Sequence, residues 1–147
     1  MTKLNDFEKG YIAAFLDGEG TICITKSKND DYRPQVVLYN THKGVINYLS
    51  KLLKTYSVEN IVDKRKGLIN NMVYNRVSYQ VSIRKLQDIY LFLTDIKTSL
   101  IIKEKQAENC LKFLEYKFNR LDHKYSEQDK KEMNKFYLKQ KKLNKGE

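Results

Sequence analysis

The chain has 147 residues, a length that suits one ordinary domain with its own hydrophobic core. It carries 28 Lys and Arg residues against 18 Asp and Glu residues, and the formal net charge of +10 favours a polyanionic partner, nucleic acid ahead of an anionic membrane surface. The sequence has no apolar run of membrane-spanning length, no secretory signal and no CxxC pair, so we expect an intracellular protein without membrane insertion, disulfide framework or structural zinc site.

The first half of the chain predicts a helix, two strands and a second helix. Residues 6–16 follow a capping residue, Asn5 or Asp6, and are apolar on nearly every face, which is typical of a helix buried on more than one side. Alternating apolar residues predict strands over residues 21–27 and 32–40. Apolar residues then recur at helical spacing through residues 42–56.

The second half predicts two further strands, two helices and a basic extension. Strands over 60–67 and 72–85 are separated by turn residues, and helices follow over 86–96 and 103–118. This order predicts an α+β fold, an antiparallel sheet with helices on one face and the other face free for water or a ligand. We assign residues 1–121 to a core domain and 122–147 to a Lys-rich extension, either one or two exposed helices or a partly disordered tail.

Residues 12–20 read IAAFLDGEG and place two acids between glycines directly after the apolar helix. Ala14 and Gly18 lie four residues apart on one helical stripe, so two such helices could approach closely and bring their acidic ends together. Hard divalent cations prefer oxygen ligands, so two Glu19 carboxylates would form a metal site against a DNA backbone. The alternative is an ordinary buried helix that ends at a glycine, with its acids solvated.

This stretch resembles, position for position, the motif of the LAGLIDADG homing endonucleases, and the predicted element order is that family's αββαββα core. The resemblance implies a curved antiparallel four-stranded sheet with helices on one face. It also implies a site-specific endonuclease that makes a double-strand break in a long, nearly palindromic DNA target by Mg²⁺-dependent phosphodiester hydrolysis, with Mn²⁺ expected to substitute. By position, the resemblance makes Glu19 the metal ligand and the electrostatic centre of catalysis, adds the Gly18 carbonyl to the coordination, and gives Asp17 a mainly structural role.

Two further catalytic residues follow from the resemblance. The segment KEKQAENCL resembles the family's basic segment beside the active site, which assigns the catalytic lysine to Lys103, with Lys105 as runner-up. After the second strand, the polar residue that organises water is assigned to His42, with Asn40 as the alternative.

Only one copy of the motif is found, whereas two active acids require two. We therefore expect a homodimer with the motif helix at its interface. The interface residues are predicted to be Ile12, Ala13, Ala14, Phe15, Asp17 and Gly18. The rival functions are an RNA-binding maturase of the same fold, which would assist intron RNA, and a non-catalytic DNA-binding regulator. An intron-encoded enzyme of an organelle, of a phage-infected cell or of the bacterial cytoplasm would fit equally well.

The free sheet face would lie in the DNA major groove, where each base pair shows a distinct pattern of donors and acceptors. Alternation along the strands nominates the residues that face double-stranded DNA. Arg33, Gln35 and Arg76 could contact bases bidentately, whereas the lysines are expected at phosphates. The full predicted set is Cys23, Thr25, Ser27, Lys28, Arg33, Gln35, Val37, Tyr39, Asn40, Lys64, Arg65, Lys66, Tyr74, Arg76, Ser78 and Gln80.

Overall fold

The computed structural model describes residues 3–121 and 124–146, apart from the side chain of residue 74. These residues form five α-helices and four strands in the predicted order, so the predicted αββαββα core is confirmed. Their bounds are α1 (Asp6–Glu19), β1 (Gly20–Lys26), β2 (Tyr32–Asn40), α2 (Lys43–Leu52), β3 (Glu59–Ile69), β4 (Met72–Ile83), α3 (Leu86–Ile96), α4 (Glu104–Phe118) and α5 (Glu127–Asn144). Short 3₁₀ turns follow α2 and α3.

The four strands form one antiparallel sheet in the order β1-β2-β4-β3. Residue pairing places Leu38 of β2 opposite Gly20 of β1 and opposite Val81 of β4, on the side where apolar side chains are buried. The residues that alternate with them, such as Arg33 and Arg76, are exposed on the other side. For β1, β2 and β4, strand alternation therefore predicted the sheet faces correctly.

The helices cover one face of the sheet and bury the main core against it. Asn5 caps α1 through a capping box with Glu8, and Ile12, Ala13 and Leu16 of α1 are fully buried in that core. The same core contains Leu49 of α2, Phe92 of α3 and Leu114 of α4. No helix in the described residues has the length and apolar character needed to cross a membrane.

The last helix, α5, packs against α4 and β1 through a second, smaller core. This core contains Ile24, Tyr32, Phe113 and Met133. Buried amides add to the contact, because the Gln140 side chain donates to the Ile22 carbonyl at 2.8 Å. Sequence analysis left exposed helices or a partly disordered tail open for the Lys-rich extension. Within its described residues, 124–146, the structure has a single helix, α5, docked on the core.

Gly20 marks the close approach between the end of α1 and the sheet. A methyl group at this position would lie 2.5 Å from Leu16 Cδ1 and 2.9 Å from Leu38 Cδ2, closer than carbon atoms can pack. Both leucines are buried, so neither can move aside freely. Gly20 therefore sets the depth at which α1 is seated on the sheet.

Candidate active site and nucleic-acid interface

The Glu19 side chain is exposed at the end of the buried helix α1, next to the free face of the sheet. Within the described residues, its carboxylate accepts no hydrogen bond and pairs with no cation. It lines a recess of about 240 Å³ together with Tyr39, Asn40, Thr41, Arg76 and Ser78. A buried helix thus presents an unpaired carboxylate to a surface that carries an arginine.

Asp17 fastens the motif to the start of α4. Its Oδ2 accepts a hydrogen bond from the Ile101 backbone N–H at 2.8 Å, and its Oδ1 accepts one from the Lys103 N–H at 2.9 Å. The first N–H groups of a helix lack partners within the helix, and a carboxylate is favourable at this positive end. These two hydrogen bonds are compatible with the mainly structural role predicted for Asp17.

Lys103 lies directly beside the motif, at the residue that precedes α4. Its Nζ donates to the Asp17 carbonyl at 2.6 Å, and the side chain is half-buried. Lys103 also lines a recess of about 440 Å³ with Gly18, Gly20 and Thr21 on one side and the end of α5 on the other. The runner-up, Lys105, is exposed and does not line this recess.

His42 caps helix α2 and does not line the Glu19 recess. Its Nδ1 accepts a hydrogen bond from the Val45 N–H at 3.0 Å, and its own N–H donates to Asn40 Oδ1 at 2.8 Å. The residues from this segment that line the recess are Asn40, the alternative to His42, and Thr41. The assignment of His42 as a water-organising residue stays a prediction, and its alternative Asn40 is the one that lines the recess.

The exposed face of α1 differs from the predicted interface in two residues. Ile12 and Ala13 are fully buried in the core of the chain itself, so they offer no surface to a second copy. At 3.6 residues per turn, the opposite face of the helix is outside, and Ala14 and Gly18 lie on it. The rest of this exposed stripe is formed by Phe7, Gly10 and Tyr11, which the motif-based prediction missed.

Most of the predicted DNA-facing residues share the free face of the sheet. Cross-strand pairs place Thr25 opposite Arg33, Cys23 opposite Gln35, and Thr21 opposite Val37. Tyr39 pairs with Gln80 on the next strand, and Ser78 and Arg76 continue the same side. Burial raises the pKa of the Cys23 thiol, an effect that its hydrogen bond with Gln35 partly offsets.

The β3 lysines do not share this face. The pairs Asp63↔Ser78 and Arg65↔Arg76 lie on the free side, so Lys64 and Lys66 point to the other side of the sheet. Asp63 was missed in the sequence, although its alternation with Arg65 would have identified it. It binds Arg65 Nε at 2.9 Å and lines a shallow groove of about 350 Å³ with Tyr39, Arg65, Arg76, Ser78 and Gln80.

The remaining predicted contacts occupy the β1–β2 turn or lie outside the described part. Ser27 Oγ accepts hydrogen bonds from the backbone N–H groups of Asn29 and Asp31, so this hydroxyl holds the turn together. Lys28 is exposed in that turn. The predicted contact through the Tyr74 side chain lies outside the described residues.

The Glu19 carboxylate offers oxygen ligands of the kind that hard cations bind, but a single chain places few such oxygens at this point. Within residues 3–121 and 124–146, no three His, Cys, Asp or Glu side chains lie close enough together to hold a metal ion. The Gly18 carbonyl, in the last helical turn next to Glu19, is a second candidate oxygen. It is available to a ligand because the last carbonyls of a helix have no intrahelical donor. A cation site at this end would need further oxygens from outside the chain.

Sequence comparison identifies the family. A family model described as a LAGLIDADG-like domain matches residues 6–115 of the chain. The match begins at α1 and ends inside α4, so α5 lies beyond it. Comparison with curated proteins gave no match.

Solved structures of homing endonucleases share the fold. I-CvuI in complex with its target in the presence of 2 mM Ca matches with a TM-score of 0.66 and 14% identity, over 93% of this chain and 82% of that chain. The archaeal intron-encoded homing endonuclease I-Vdi141I, complexed with DNA, matches with a TM-score of 0.67 and 17% identity, over 94% and 84% of the two chains. The LAGLIDADG meganuclease I-AabMI, bound to uncleaved DNA, matches with a TM-score of 0.55 and 14% identity, over 79% and 38%.

Proposed function

Because this chain belongs to the LAGLIDADG-like family, we propose that it is a homing endonuclease that cuts both strands of a nearly palindromic DNA target. The observation that carries the proposal is the exposed, unpaired Glu19 carboxylate at the end of a buried helix, beside a basic sheet face. An ordinary helix end with a solvated acid would not need the hydrogen bonds that join Asp17 of the same motif to Lys103. The neighbouring folds that were solved with DNA support a DNA substrate.

The Glu19 site fits Mg²⁺ by the chemistry of its donors. Mg²⁺ prefers oxygen ligands, keeps several waters and is commonly held by one or two carboxylates together with substrate phosphates. Glu19 and the Gly18 carbonyl would hold it, with the second carboxylate supplied by another copy of the chain. When bound, the ion would polarise the phosphate and lower the pKa of an attacking water. Solved neighbours that were obtained with Ca or Mg support the use of a divalent cation.

The cationic side chains around Glu19 would act on the phosphate. Arg76 lines both the Glu19 recess and the groove on the sheet, so it can neutralise charge beside the scissile bond or contact the adjacent base pair. Lys103 Nζ is held at the motif by the Asp17 carbonyl, where its charge favours the extra negative charge of the transition state. Asn40 and Thr41 provide the polar groups that can orient water in the recess.

The single unpaired motif carboxylate in each chain, Glu19, and the exposed stripe of α1 support a homodimer. Gly10 and Gly18 each have space for a methyl group, so neither glycine is required by packing inside the chain. With Ala14 they form a line of small residues at which two copies of α1 can approach closely. Ile101 and Ile102 beside the motif are also exposed, and a dimer would cover them. Pairing the helices there brings two Glu19 carboxylates to one centre.

The test is metal-dependent cleavage of a randomised duplex library, with newly made ends identified by sequencing. Wild type is compared with Glu19→Gln, and Glu115→Gln serves as an isosteric control at an exposed position on α4. We expect wild type and Glu115→Gln to cut at one nearly palindromic site, whereas Glu19→Gln binds that site without cutting it. Cleavage by Glu19→Gln would refute the role of the acid. A folded, DNA-binding wild type that never cuts would support the regulator, and binding of intron RNA would then test the maturase.

A further inference from the structure

Helix α5 is joined to β1 at a carbonyl close to the motif. Strand β1 lies at the edge of the sheet and starts at Gly20, directly after Glu19. The Ile22 carbonyl accepts one hydrogen bond from Gln140 Nε2 at 2.8 Å and another from Asn144 Nδ2 at 3.0 Å. Two amides of α5 therefore hold the backbone shortly after the motif acid.

The Gln140 amide is held in one orientation. Its side chain is only 1% exposed, and its Oε1 accepts a hydrogen bond from Asn109 Nδ2 of α4 at 2.8 Å. Asn109 Nδ2 also donates to the Phe136 carbonyl at 3.0 Å, so this amide of α4 is itself fixed on α5. Because the Gln140 oxygen is occupied by α4, its nitrogen is left to donate to β1. A buried amide that is bonded at both ends keeps the Ile22 carbonyl in one position.

Glu19 lies between two anchored residues. Asp17 before it is bonded to Lys103 at the start of α4, and Ile22 after it is bonded to α5. The short segment between the two anchors also contains the Gly18 carbonyl. Both candidate oxygen ligands of a cation are therefore carried by backbone that α4 and α5 hold from its two ends.

Helices α4 and α5 are also joined to each other beside the motif. Gln106 Nε2 of α4 donates to the Leu143 carbonyl of α5 at 3.1 Å. These two residues line the recess of about 440 Å³ that contains Lys103, and Asn144 lines it too. The end of α5 is therefore one wall of this recess, and the hydrogen bonds close a ring through α1, α4, α5 and β1.

We propose that Gln140 and Asn144 are positioning residues for DNA cleavage. Through the Ile22 carbonyl they fix the backbone that carries Glu19, so that its carboxylate meets the cation and the scissile phosphate in one geometry. A misplacement of about 1 Å can cost on the order of 100-fold in rate. The residues matched by the family model end at 115, before α5, so membership of the family gives this helix no role. The inference rests on the proposed function, since it takes Glu19 as the metal ligand of an endonuclease.

A double-mutant cycle tests the shared acceptor. Gln140→Met and Asn144→Leu each replace an amide with an apolar side chain of similar size that donates no hydrogen bond. Each single variant leaves one amide on the Ile22 carbonyl, whereas the double variant leaves neither. We therefore expect the double variant to lose far more of the cleavage rate than the two single losses predict together.

Tyr32→Phe is the matched control, because it also removes a hydrogen bond between α5 and the sheet. The Tyr32 hydroxyl donates to Asn134 Oδ1 at 3.0 Å. At about 1.5 Å per residue, this contact lies roughly 15 Å along α5 from Asn144. Phenylalanine keeps the ring that packs in the smaller core, so the variant separates docking of α5 in general from the contact at Ile22.

Cleavage is measured in single turnovers with Mg²⁺, on the duplex that wild type cuts from the randomised library. We expect the maximal rate of the double variant to fall by about tenfold to 100-fold, while the half-saturating protein concentration stays within about twofold of wild type. Each single variant should lose at most a few-fold, and Tyr32→Phe should cut at the wild-type rate. A loss of folded protein alone would lower the amplitude of cleavage and leave its rate unchanged.

Amide hydrogen exchange provides a readout that needs no cleavage. The Gly20 N–H donates to the Leu16 carbonyl at the end of α1, and the Ile89 N–H donates to the Lys85 carbonyl at the start of α3. In the double variant we expect exchange at Gly20 to speed up by about tenfold relative to exchange at Ile89. Tyr32→Phe should leave this ratio unchanged, because a general loss of stability speeds both amides.

The outcomes separate the positioning role from the proposed function. If wild type cuts and the double variant cuts as fast as Tyr32→Phe, or if Gly20 and Ile89 exchange faster by the same factor, the positioning role is refuted and the endonuclease proposal stands. If the double variant loses DNA binding in step with cleavage, α5 serves affinity and the inference is wrong. If folded wild type never cuts, the proposed function fails and the positioning role fails with it.

Discussion

Asp17 and Lys103 are joined twice, although 86 residues separate them in sequence. The Lys103 backbone N–H donates to the Asp17 carboxylate, and the Lys103 Nζ donates to the Asp17 carbonyl. The first acid of the motif thus holds Lys103 in place at the end of the motif helix. The two acids therefore differ in their contacts. The Asp17 carboxylate accepts hydrogen bonds within the chain, whereas the Glu19 carboxylate remains available to a ligand.

Replacing Asp17 tests this division. Asp17→Ala removes the acceptors for two backbone N–H groups, so we expect the free energy of unfolding to fall by about 1.5–3 kcal/mol in urea titrations. Glu19→Gln should leave it unchanged, because Glu19 has no partner within the described residues. Equal stability of the two variants would contradict the clamp.

The two motif glycines should respond differently to alanine. Gly20→Ala pushes a methyl group against Leu16 and Leu38 and should cost about 1–3 kcal/mol of unfolding free energy. Gly18→Ala meets no atom within 4 Å and should leave the free energy of unfolding of the single chain unchanged or slightly higher. Chemical denaturation of the two variants under identical conditions measures both, and a larger loss for Gly18→Ala would reverse the assignment.

Strand alternation and the motif gave the site's outline, but not the side of α1 that faces the core. Alternation placed Arg76 and Gln80 on the free face, and pairing of the strands agrees. The stretch around Ile12 and Ala13 is apolar on nearly every face, so the sequence does not distinguish residues that pack within the chain from residues that would meet a second copy. Only the three-dimensional position of the sheet decides this.

The docking of α5 and the capping contact of His42 are two further features that the sequence did not predict. Gln140 and Asn109 are buried between α4 and α5, where they donate hydrogen bonds to other elements of the chain. A sequence analysis that treats amide side chains as exposed therefore underestimates how much of α5 is buried against the core. His42 was assigned by its position after β2, and the hydrogen bond by which its side chain caps α2 becomes visible only in the three-dimensional structure.

The proposed homodimer predicts a change of mass when the α1 stripe is made bulky. Ala14→Leu adds three heavy atoms on the exposed face and should separate the helices, so sedimentation should move from twice 17.5 kDa towards 17.5 kDa. Thr94→Leu places the same leucine side chain at an exposed position on α3 and is the control. Identical sedimentation of Ala14→Leu and wild type, both as dimers, would place the interface elsewhere.

Neighbouring residues on β3 should contribute unequally to DNA binding. Arg65 lies on the free face and lines the groove, whereas Lys64 points to the opposite side. We expect Arg65→Ala to weaken binding by about 1–3 kcal/mol and Lys64→Ala to weaken it by less. Dissociation constants measured over a range of salt concentrations would check this, and a larger effect of Lys64→Ala would mean that DNA lies on the other side of β3.

The docking of α5 predicts acid sensitivity. The pKa of Asp129 is held well below its ordinary value, first by the Ser126 backbone N–H and then by hydrogen bonds from Tyr116 and Arg120. A carboxyl whose pKa is lower in the folded state contributes stability that is complete above its unfolded-state pKa of about 3.9 and is lost as the pH falls below it. Urea midpoints should therefore decrease for wild type below that pH. Asp129→Asn should have a lower urea midpoint at neutral pH, and its midpoint should decrease less over the same pH range. A parallel decrease in both proteins would show that another group causes the loss of stability in acid.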